Sequence, residues 1–317
     1  MQRPYFYLIY IYSYPIATCD LIMEVIYLKP SRSQWADFSL LLVTLVWGST
    51  FVIVKWAIED LPPLPFLAIR FALAFISLLP FLYFQKAHIS KGTLLKGVAL
   101  GCLLFSGYAW QTVGLQYTTA SNAGFITGLS VVFVPALVAL TTRKFPSPGL
   151  ILGILSALVG LALLSLGDQF QLNKGDLMVL FCALSFALHI FFVGRYAPQT
   201  NATVLASAQI LTVSVLSGIF SIFLPQSTMH FSTNVWVALL VTAIPATSLA
   251  FFAQSKMQQF TTATHTALIF SMEPVFAAFS AFFLAGEILT PKALLGAGLV
   301  LVGMLISEFT GSVAESP

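Results

Sequence analysis

Charged residues are scarce in this chain of 317 residues: only 8% are Asp, Glu, Lys or Arg, whereas 58% are hydrophobic. Soluble globular domains carry about 25% charged residues, so a soluble protein is excluded. The apolar residues form long continuous runs and do not alternate with polar ones. The sequence therefore predicts an all-α polytopic membrane protein and argues against a β-barrel.

Cysteine and the common catalytic motifs are also lacking. The three cysteines, Cys19, Cys102 and Cys182, lie far apart and indicate neither a disulfide framework nor a zinc site. No phosphate-binding glycine loop is present, which argues against ATP hydrolysis. Neither Gly-x-Ser-x-Gly nor His-Glu-x-x-His occurs. We therefore predict no enzymatic activity, no cofactor, no metal and no nucleic-acid partner.

Ten apolar segments follow residue 34, separated by short polar breaks. Each is close to the roughly 20 residues that a helix needs to cross a bilayer. The predicted spans cover residues 35–58, 64–84, 94–117, 120–141, 148–167, 176–193, 203–224, 235–252, 261–287 and 291–307.

The segment before the first span is of a different kind. Residues 1–30 are apolar and aromatic but contain Pro15, Asp20 and Glu24, which makes them a poor span. We interpret residues 1–34 as an N-terminal extension that is interfacial or disordered, with Met23 as an alternative start of the chain.

The basic residues predict the orientation of the ten spans. Only Lys174 and Lys292 fall in loops on one side of the membrane, where Glu59, Asp60 and Asp168 also lie. By the positive-inside rule the opposite, lysine- and arginine-rich side is cytoplasmic, as are both ends of the ten-span core. The basic residues on that side are Lys29, Arg32, Lys86, Lys91, Lys96, Arg143, Lys144, Arg195 and Lys256.

The second half of the chain repeats the first. One constant offset in residue number takes Asp37 to Asp176 and Leu45 to Leu184. A second offset, larger by four, applies later in the chain, so four residues were gained around the third or eighth span. The pairs related by the larger offset are Gln111 with Gln254, Thr118 with Thr261, Pro148 with Pro291, Gly153 with Gly296, and Gly160 with Gly303.

The repeat predicts two inverted halves. Each copy, over residues 35–168 and 174–309, holds five spans, and an odd number makes the second copy enter the membrane from the opposite face. Inverted repeats are typical of alternating-access transporters, whose substrates bind near the membrane midplane between the copies.

The ninth span carries a carboxylate, Glu273, near its midpoint, followed at once by Pro274. A carboxylate at that depth costs at least about 2.5 kcal/mol and is seldom left facing lipid. Pro274 has no N–H and leaves the carbonyl of Phe270 without its helical partner, which predicts a kink. We expect a second kink in the fourth span, at Pro135.

Several short motifs resemble the drug/metabolite transporter superfamily, specifically its ten-helix EamA-type branch. They are Trp47-Gly48-Ser49-Thr50-Phe51 with Lys55, Arg70-Phe71, the segment 118–135, and Glu273-Pro274 followed by Gly286-Glu287 and Pro291. The second copy departs from the pattern, since Phe186 and Ala187 replace its Trp-Gly. The resemblance implies a bacterial inner-membrane transporter of small metabolites, often an exporter of amino acids or related compounds.

The candidate residues of a substrate or ion pathway are polar or aromatic residues within the spans: Trp47, Thr50, Arg70, Gln111, Asn122, His189, Gln254, His265 and Glu273. Glu273 is either a substrate-binding or proton-coupling carboxylate, or a structural one that holds the turn at Pro274. Arg70 suits a substrate carboxylate, and pairing with a protein acid is the alternative.

The remaining candidates also have two interpretations each. Histidine as a residue type ordinarily titrates near neutral pH, so His189 and His265 are candidates for a proton relay, although hydrogen-bonded histidines at span ends are commoner. Asn122 corresponds to His265 in the other copy. Gln111 and Gln254 either line the cavity or join helices by hydrogen bonds.

Together these features favour a secondary transporter for a small-molecule substrate in the lipid bilayer. Without ATP hydrolysis, coupling must come from an ion gradient, with the proton as a candidate, or from the gradient of the substrate itself. An intramembrane enzyme and a passive channel or sensor are the alternatives. Oligomeric state does not follow from the sequence.

Overall fold

The computed structural model of the chain describes residues 31–84, 89–118, 120–165, 173–223, 229–285, 288 and 290–310. Residues 1–30 of the predicted extension over 1–34 lie outside these ranges, as do Lys86 and Asp168, whereas residues 32–34 belong to the first helix. The described part is helical throughout and contains no strand. Within it, seven helices are long and apolar enough to cross a membrane, and two shorter helices are also apolar.

The helices correspond to the ten predicted spans, and we number them accordingly. They are α1 (Arg32–Asp60), α2 (Pro63–Phe84), α3 (Lys91–Gly114), α4a (Ala120–Gly128), α4b (Ser130–Thr142), α5 (Pro148–Ser165), α6 (Lys174–Tyr196), α7 (Ala202–Phe223), α8a (Thr233–Ala243), α8b (Ala250–Met257), α9a (Ala263–Phe270), α9b (Glu273–Ala285) and α10 (Pro291–Thr310). A π-helical turn, Ile244–Leu249, joins α8a to α8b.

Local signals fix several helix starts. Ser31 and Asn173 form capping boxes at the N-termini of α1 and α6, where each side chain accepts the third backbone N–H of its helix. Ser90, Ser232 and Thr262 cap α3, α8a and α9a in the same way, without the reciprocal bond.

The two halves keep the register that the sequence repeat predicts. The smaller offset relates both ends of α2 to those of α7, whereas the larger offset relates the end of α3 to that of α8b. Three of the four extra residues fall between helices, since residues 85–90 separate α2 from α3 and residues 224–232 separate α7 from α8a. The fourth lies in the π-helical turn, because α3 has 24 residues and the eighth span has 25.

Helix packing relates the halves by an approximate two-fold axis. Helix α5 packs against its counterpart α10, and α2 against its counterpart α7. The contacts of α3 with α6 and α7 are repeated by those of the eighth span with α1 and α2. The prediction of a ten-helix membrane protein built from two inverted five-helix repeats is therefore confirmed.

The α5–α10 pair crosses at glycines from both copies. A Cβ atom on Gly153 would lie 2.7 Å from the carbonyl oxygen of Gly303, and one on Gly160 would lie 2.5 Å from that of Gly296. The hydroxyl of Ser156 also donates to the carbonyl oxygen of Leu299, at 2.9 Å. Only residues without a side chain allow the two backbones to approach this closely.

Candidate functional site

The fourth and ninth spans are interrupted at equivalent points. Helix α4a ends at Gly128 and α4b begins at Ser130, while α9a ends at Phe270 and α9b begins at Glu273. The larger offset of the repeat takes Ser130 to Glu273, so each copy begins its second half-helix at the same place. Broken helices near the midpoint of a repeat are typical of transporter binding sites.

Proline explains only one of the two interruptions. Pro274 lies at the second position of α9b, where its missing N–H has no intrahelical role, so the break coincides with the predicted kink. In the fourth span the interruption falls at Leu129, six residues before Pro135, which lies inside α4b.

Gly48 brings α1 against the start of α9b. A Cβ atom at this position would lie 2.5 Å from the carbonyl oxygen of Glu273 and 2.7 Å from Cβ of Phe276. The Trp-Gly pair of the first span therefore has a packing role. Its glycine lets the broken ninth span approach, and the ring of its tryptophan packs against that of Phe270 at the end of α9a.

The eighth span contributes a backbone carbonyl that side chains of α1 and α2 contact. Pro245 lies in the π-helical turn and cannot donate a backbone hydrogen bond. The carbonyl oxygen of Ala246 instead accepts a hydrogen bond from Nε1 of Trp47, at 2.8 Å. The hydroxyl of Thr247 donates to the carbonyl oxygen of Thr242, five residues back, at 2.7 Å.

These elements surround a narrow cavity, of which about 60 Å³ is open to the centre of a water-sized sphere. Residues from α1, α2, α3, both parts of the fourth span, α6, α8b and both parts of the ninth span line it. They are Trp47, Thr50, Phe51, Val54, Arg70, Leu104, Tyr108, Gln111, Thr112, Leu115, Thr127, Gly128, Ser130, Phe186, His189, Ile190, Phe251, Gln254, Phe270 and Glu273.

Aromatic rings form much of the cavity wall. The ring of Trp47 lies 4.9 Å from that of Phe270 and 5.4 Å from that of Phe251. Tyr108 meets Phe186 edge-on at 5.3 Å. These rings belong to five different helices, so the wall is built jointly by the two halves.

Arg70 is the one arginine or lysine among the described residues that line the cavity, and it is only 3% exposed. Its Nε donates to the hydroxyl of Thr247 at 2.9 Å, and Nη2 makes a longer contact of 3.5 Å with the carbonyl oxygen of Ala246. The guanidinium lies 5.1 Å from the ring centre of Tyr108 and 5.4 Å from that of Phe71. No acidic side chain lies within 4.0 Å of it in the described ranges.

Glu273 is the one acidic residue among the described residues that line the cavity. It is partly buried, and its backbone carbonyl faces Gly48. Its carboxylate makes no ion pair and no side-chain hydrogen bond with any described residue. The carboxylate is thus available to a group that enters the cavity.

Buried polar side chains connect His189 and Gln254, which line the cavity, to neighbouring helices. His189 Nε2 and Gln209 Oε1 are 2.7 Å apart, and Gln209 also donates to the hydroxyl of Ser255 at 3.1 Å. Gln254 donates to Gln258 at 2.9 Å, and Gln258 donates to the backbone of α6 at 3.1 Å. The network joins α6, α7 and α8b.

Seven of the nine predicted pathway residues line this cavity: Trp47, Thr50, Arg70, Gln111, His189, Gln254 and Glu273. The other two do not. His265 Nδ1 lies 3.4 Å from a carboxylate oxygen of Asp37 and 3.2 Å from the hydroxyl of Thr261. Asn122 lies on α4a, outside the lining. Whether any of the nine contacts a substrate stays a prediction.

Sequence reasoning did not name Ser130, Thr127 or Thr247 as site residues. The repeat frame contains the signal for Ser130, which is the counterpart of Glu273. Pro245 in the eighth span is a signal for the turn that presents Thr247. Among the described residues, no group of three His, Cys, Asp or Glu is placed to hold a metal ion.

Comparison with known proteins matches the same family to each half of the chain. The profile of the EamA-like transporter family matches residues 34–166 and again residues 173–309. An uncharacterized transporter of Archaeoglobus fulgidus is 39% identical over 276 residues, 87% of this chain and 86% of that protein. A "Probable amino-acid metabolite efflux pump" of Salmonella typhimurium is 26% identical over 292 residues, 87% of this chain and 96% of that protein.

A solved structure described only as "Crystal structure of protein" has a similar fold. It matches with a TM-score of 0.74 and 16% identity, over 86% of this chain and 96% of that one. At this identity the likeness shows the fold alone.

Proposed function

From the premise that this chain belongs to the EamA-like transporter family, we propose that it is a carrier of small metabolites, amino acids or related compounds among them. It works by alternating access between its two inverted halves. The observation that carries the proposal is the cavity between the halves, which is lined from both copies and, among the described residues, holds one buried guanidinium and one carboxylate that do not pair.

We expect the site to change conformation at the interruptions in the fourth and ninth spans. Ser130 and Glu273 begin equivalent half-helices in the two copies, and both line the cavity. In a carrier with inverted repeats, one copy adopts the conformation of the other when access changes sides. The turns before Ser130 and Glu273 are therefore where we expect the backbone to move.

Export is the direction we favour. The Salmonella typhimurium relative is named as an efflux pump, and its similarity extends over most of both chains.

We place the protein in the cell membrane, which in a bacterium is the inner membrane. The positive-inside rule supports a cytoplasmic location for both ends of the core, because basic residues lie at the start of α1 and near the ends of α4b, α6 and α8b: Arg32, Arg143, Lys144, Arg195 and Lys256. Energy comes from an ion gradient, with the proton as candidate, or from the substrate gradient.

The enzyme alternative has less support. His189 is hydrogen-bonded to Gln209 and not to a serine, and the hydroxyl of Ser271 donates to the carbonyl oxygen of Leu268. A serine nucleophile needs a base within hydrogen-bond reach. A passive channel remains the other alternative, and flux measurements separate it from a carrier.

The proposal is tested by thermal stabilisation of purified protein across a library of metabolites, with wild type compared with Glu273→Gln. A ligand that binds the native state raises the melting temperature by mass action. We expect at least one metabolite to stabilise wild type and to lose that effect in the variant. Equal stabilisation of both proteins would make Glu273 structural, and no stabilisation by any compound would remove the support for a carrier.

A further inference from the structure

The two copies are joined by equivalent polar contacts at their edges. Asp176, in the first turn of α6, accepts a hydrogen bond from the hydroxyl of Thr118, which lies just before α4a, at 2.5 Å. The repeat takes Asp176 to Asp37 near the start of α1, and Thr118 to Thr261 just before α9a. Asp37 lies 3.4 Å from Nδ1 of His265 on α9a. Each contact therefore joins the start of a helix in one copy to the region where the broken span of the other copy begins.

These contacts lie at opposite ends of the bundle, because five spans separate the start of α1 from the start of α6 and consecutive spans cross in alternate directions. In the orientation proposed above, α6 begins at the outer end and α1 begins at the cytoplasmic end. We call the contacts of α6 with residues 114–118 the outer junction. The contacts of α1 with residues 257–265 are the inner junction.

Each junction also places a cation over an aromatic ring. Nζ of Lys174, the first residue of α6, lies 3.5 Å from the ring centre of Tyr117. The guanidinium of Arg32, the first residue of α1, lies 5.9 Å from the ring centre of Phe260. Tyr117 and Phe260 are related by the larger offset of the repeat. The shorter of the two cation–ring contacts, which is the more favourable one, belongs to the outer junction.

The hydrogen bonds of the two junctions differ in the same direction. Asp176 is only 1% exposed and is bonded at 2.5 Å. The side chain of Asp37 is 16% exposed, and its distance of 3.4 Å to His265 exceeds that of an ordinary N–H···O hydrogen bond. The hydroxyl of Thr261 lies 3.2 Å from the same ring nitrogen of His265. By these contacts the outer junction is the tighter of the two.

The residues of the two junctions favour this difference. Gly175 lies against the end of α3, where a Cβ atom would come within 2.7 Å of the carbonyl oxygen of Gly114. The repeat places Ala36 and Met257 at the equivalent positions of the inner junction. Side chains at these two positions prevent the backbones of α1 and α8b from approaching as closely as those of α6 and α3 do.

We propose that the two junctions are the gates of the carrier, that they open in alternation, and that the outer junction stays closed in the ligand-free protein. This inference rests on the proposed carrier function and assigns its gating residues. In an inverted repeat each half adopts the conformation of the other when access changes sides. In the opposite state Thr261 therefore donates to Asp37. The bond between Thr118 and Asp176 is then broken, which opens the outer junction.

The test measures access to the cavity from each side of the membrane. Ser130→Cys places a thiol in the cavity lining, in a chain whose three native cysteines are replaced by alanine. A membrane-impermeant thiol reagent is applied to right-side-out and to inside-out vesicles that contain the full-length protein. The ratio of outer to inner labelling rates reports which end of the cavity is open. We expect the unaltered junctions to give faster labelling from the cytoplasmic side.

Two matched substitutions should act differently on this ratio. Thr118→Val keeps the shape of the side chain but removes the donor of the outer junction. We expect outer labelling to rise about tenfold, because a hydrogen bond to a carboxylate is lost. Thr261→Val removes the equivalent hydroxyl and should leave outer labelling unchanged or lower it. The double variant should return toward the original ratio, and Thr118→Ser, which keeps the hydroxyl, should label as the unaltered junctions do.

A second pair of variants repeats the comparison at exposed positions, where folding is little affected. Lys174→Gln removes the cation of the outer junction, and Arg32→Gln removes that of the inner junction. We expect Lys174→Gln to raise outer labelling by about twofold to fivefold, and Arg32→Gln not to raise it.

The inference is overturned if both valine variants move the ratio in the same direction, or if neither moves it. The first result is the one that a purely structural role predicts, since loss of either contact would then loosen the whole bundle. Faster outer labelling of the unaltered junctions would also contradict it. Failure of the carrier function is distinguishable, because a channel labels rapidly from both sides and shows no counterflow. Saturable counterflow, with a ratio that neither variant moves, leaves the carrier and removes the junctions as gates.

Discussion

Substitution of Gly303 by alanine tests the packing on which the two-fold arrangement depends. A Cβ atom at this position would lie 2.5 Å from the carbonyl oxygen of Gly153 and 2.8 Å from the backbone nitrogen of Ala157. Both are backbone atoms in a helix, so neither can turn aside as a side chain can. Ordinary contact begins at 3.4 Å, and α5 and α10 must therefore separate by about 0.9 Å.

The cost follows from that separation. A gap of about 0.5–1 Å loses a quarter to a half of the dispersion energy of each contact along the pair. Added methyl groups in packed interiors typically cost about 1–3 kcal/mol. We therefore expect the disturbed packing in Gly303→Ala to lower the free energy of unfolding by about 1–3 kcal/mol. Alanine is the better helix former, which offsets about 0.5–1 kcal/mol of this loss.

Gly298 provides the matched control on the same helix. A Cβ atom there meets no other described group within 4 Å. Gly298→Ala should therefore leave stability unchanged or raise it by about 0.5–1 kcal/mol. Gly160→Ala should cost about as much as Gly303→Ala, because the repeat makes the two positions equivalent and its Cβ would lie 2.5 Å from the carbonyl oxygen of Gly296.

The assay is thermal unfolding of the purified protein in one detergent at one scan rate, since unfolding of such proteins is often irreversible. We expect the melting temperatures of Gly160→Ala and Gly303→Ala to fall together, with that of Gly298→Ala at or above the wild-type value. If Gly298→Ala and Gly303→Ala behave alike, the close crossing of α5 and α10 is wrong.

Three further predictions concern the cavity. Gly48→Ala should weaken, by about tenfold or more, the binding of any compound that stabilises wild type, because its Cβ would lie 2.5 Å from the Glu273 carbonyl oxygen. Unchanged affinity in ligand-dependent melting would contradict this. Trp47→Phe should lower the free energy of unfolding by about 1–3 kcal/mol, since the Ala246 carbonyl loses the closer of its two donors, at 2.8 Å. Thermal unfolding with an unchanged midpoint argues against that bond. Glu273→Gln should leave the melting temperature of the ligand-free protein equal or higher, because it removes an acidic group that has no ion-pair partner among the described residues and keeps a side chain of similar shape. A clear fall would show that the carboxyl group is structural.

The sequence was sufficient for the parts of the fold that depend on hydropathy and on spacing. All ten predicted spans are helical over most of their described residues, and several begin beside residues that cap a helix, such as Ser31 and Asn173. The constant frame of the repeat also holds in three dimensions, as the cross-packing of Gly153 and Gly160 with α10 shows.

The parts that sequence reasoning did not reach depend on tertiary packing. The interruption at Leu129 has no proline to mark it, and Pro135 lies inside a continuous helix. Which polar residues face one cavity depends on how helices rotate against each other, and periodicity within one helix does not reveal that. His265, a predicted pathway residue, therefore lies outside the cavity lining, with Nδ1 at 3.4 Å from a carboxylate oxygen of Asp37.

Counterflow in proteoliposomes tests the central claim most directly. Vesicles that contain the purified protein are loaded with a compound that stabilises wild type, and uptake of the same compound in labelled form is followed. An alternating-access carrier exposes one site to one side at a time, so we predict saturable uptake that internal compound accelerates. Uptake that rises linearly with concentration and is indifferent to the internal compound would contradict the account.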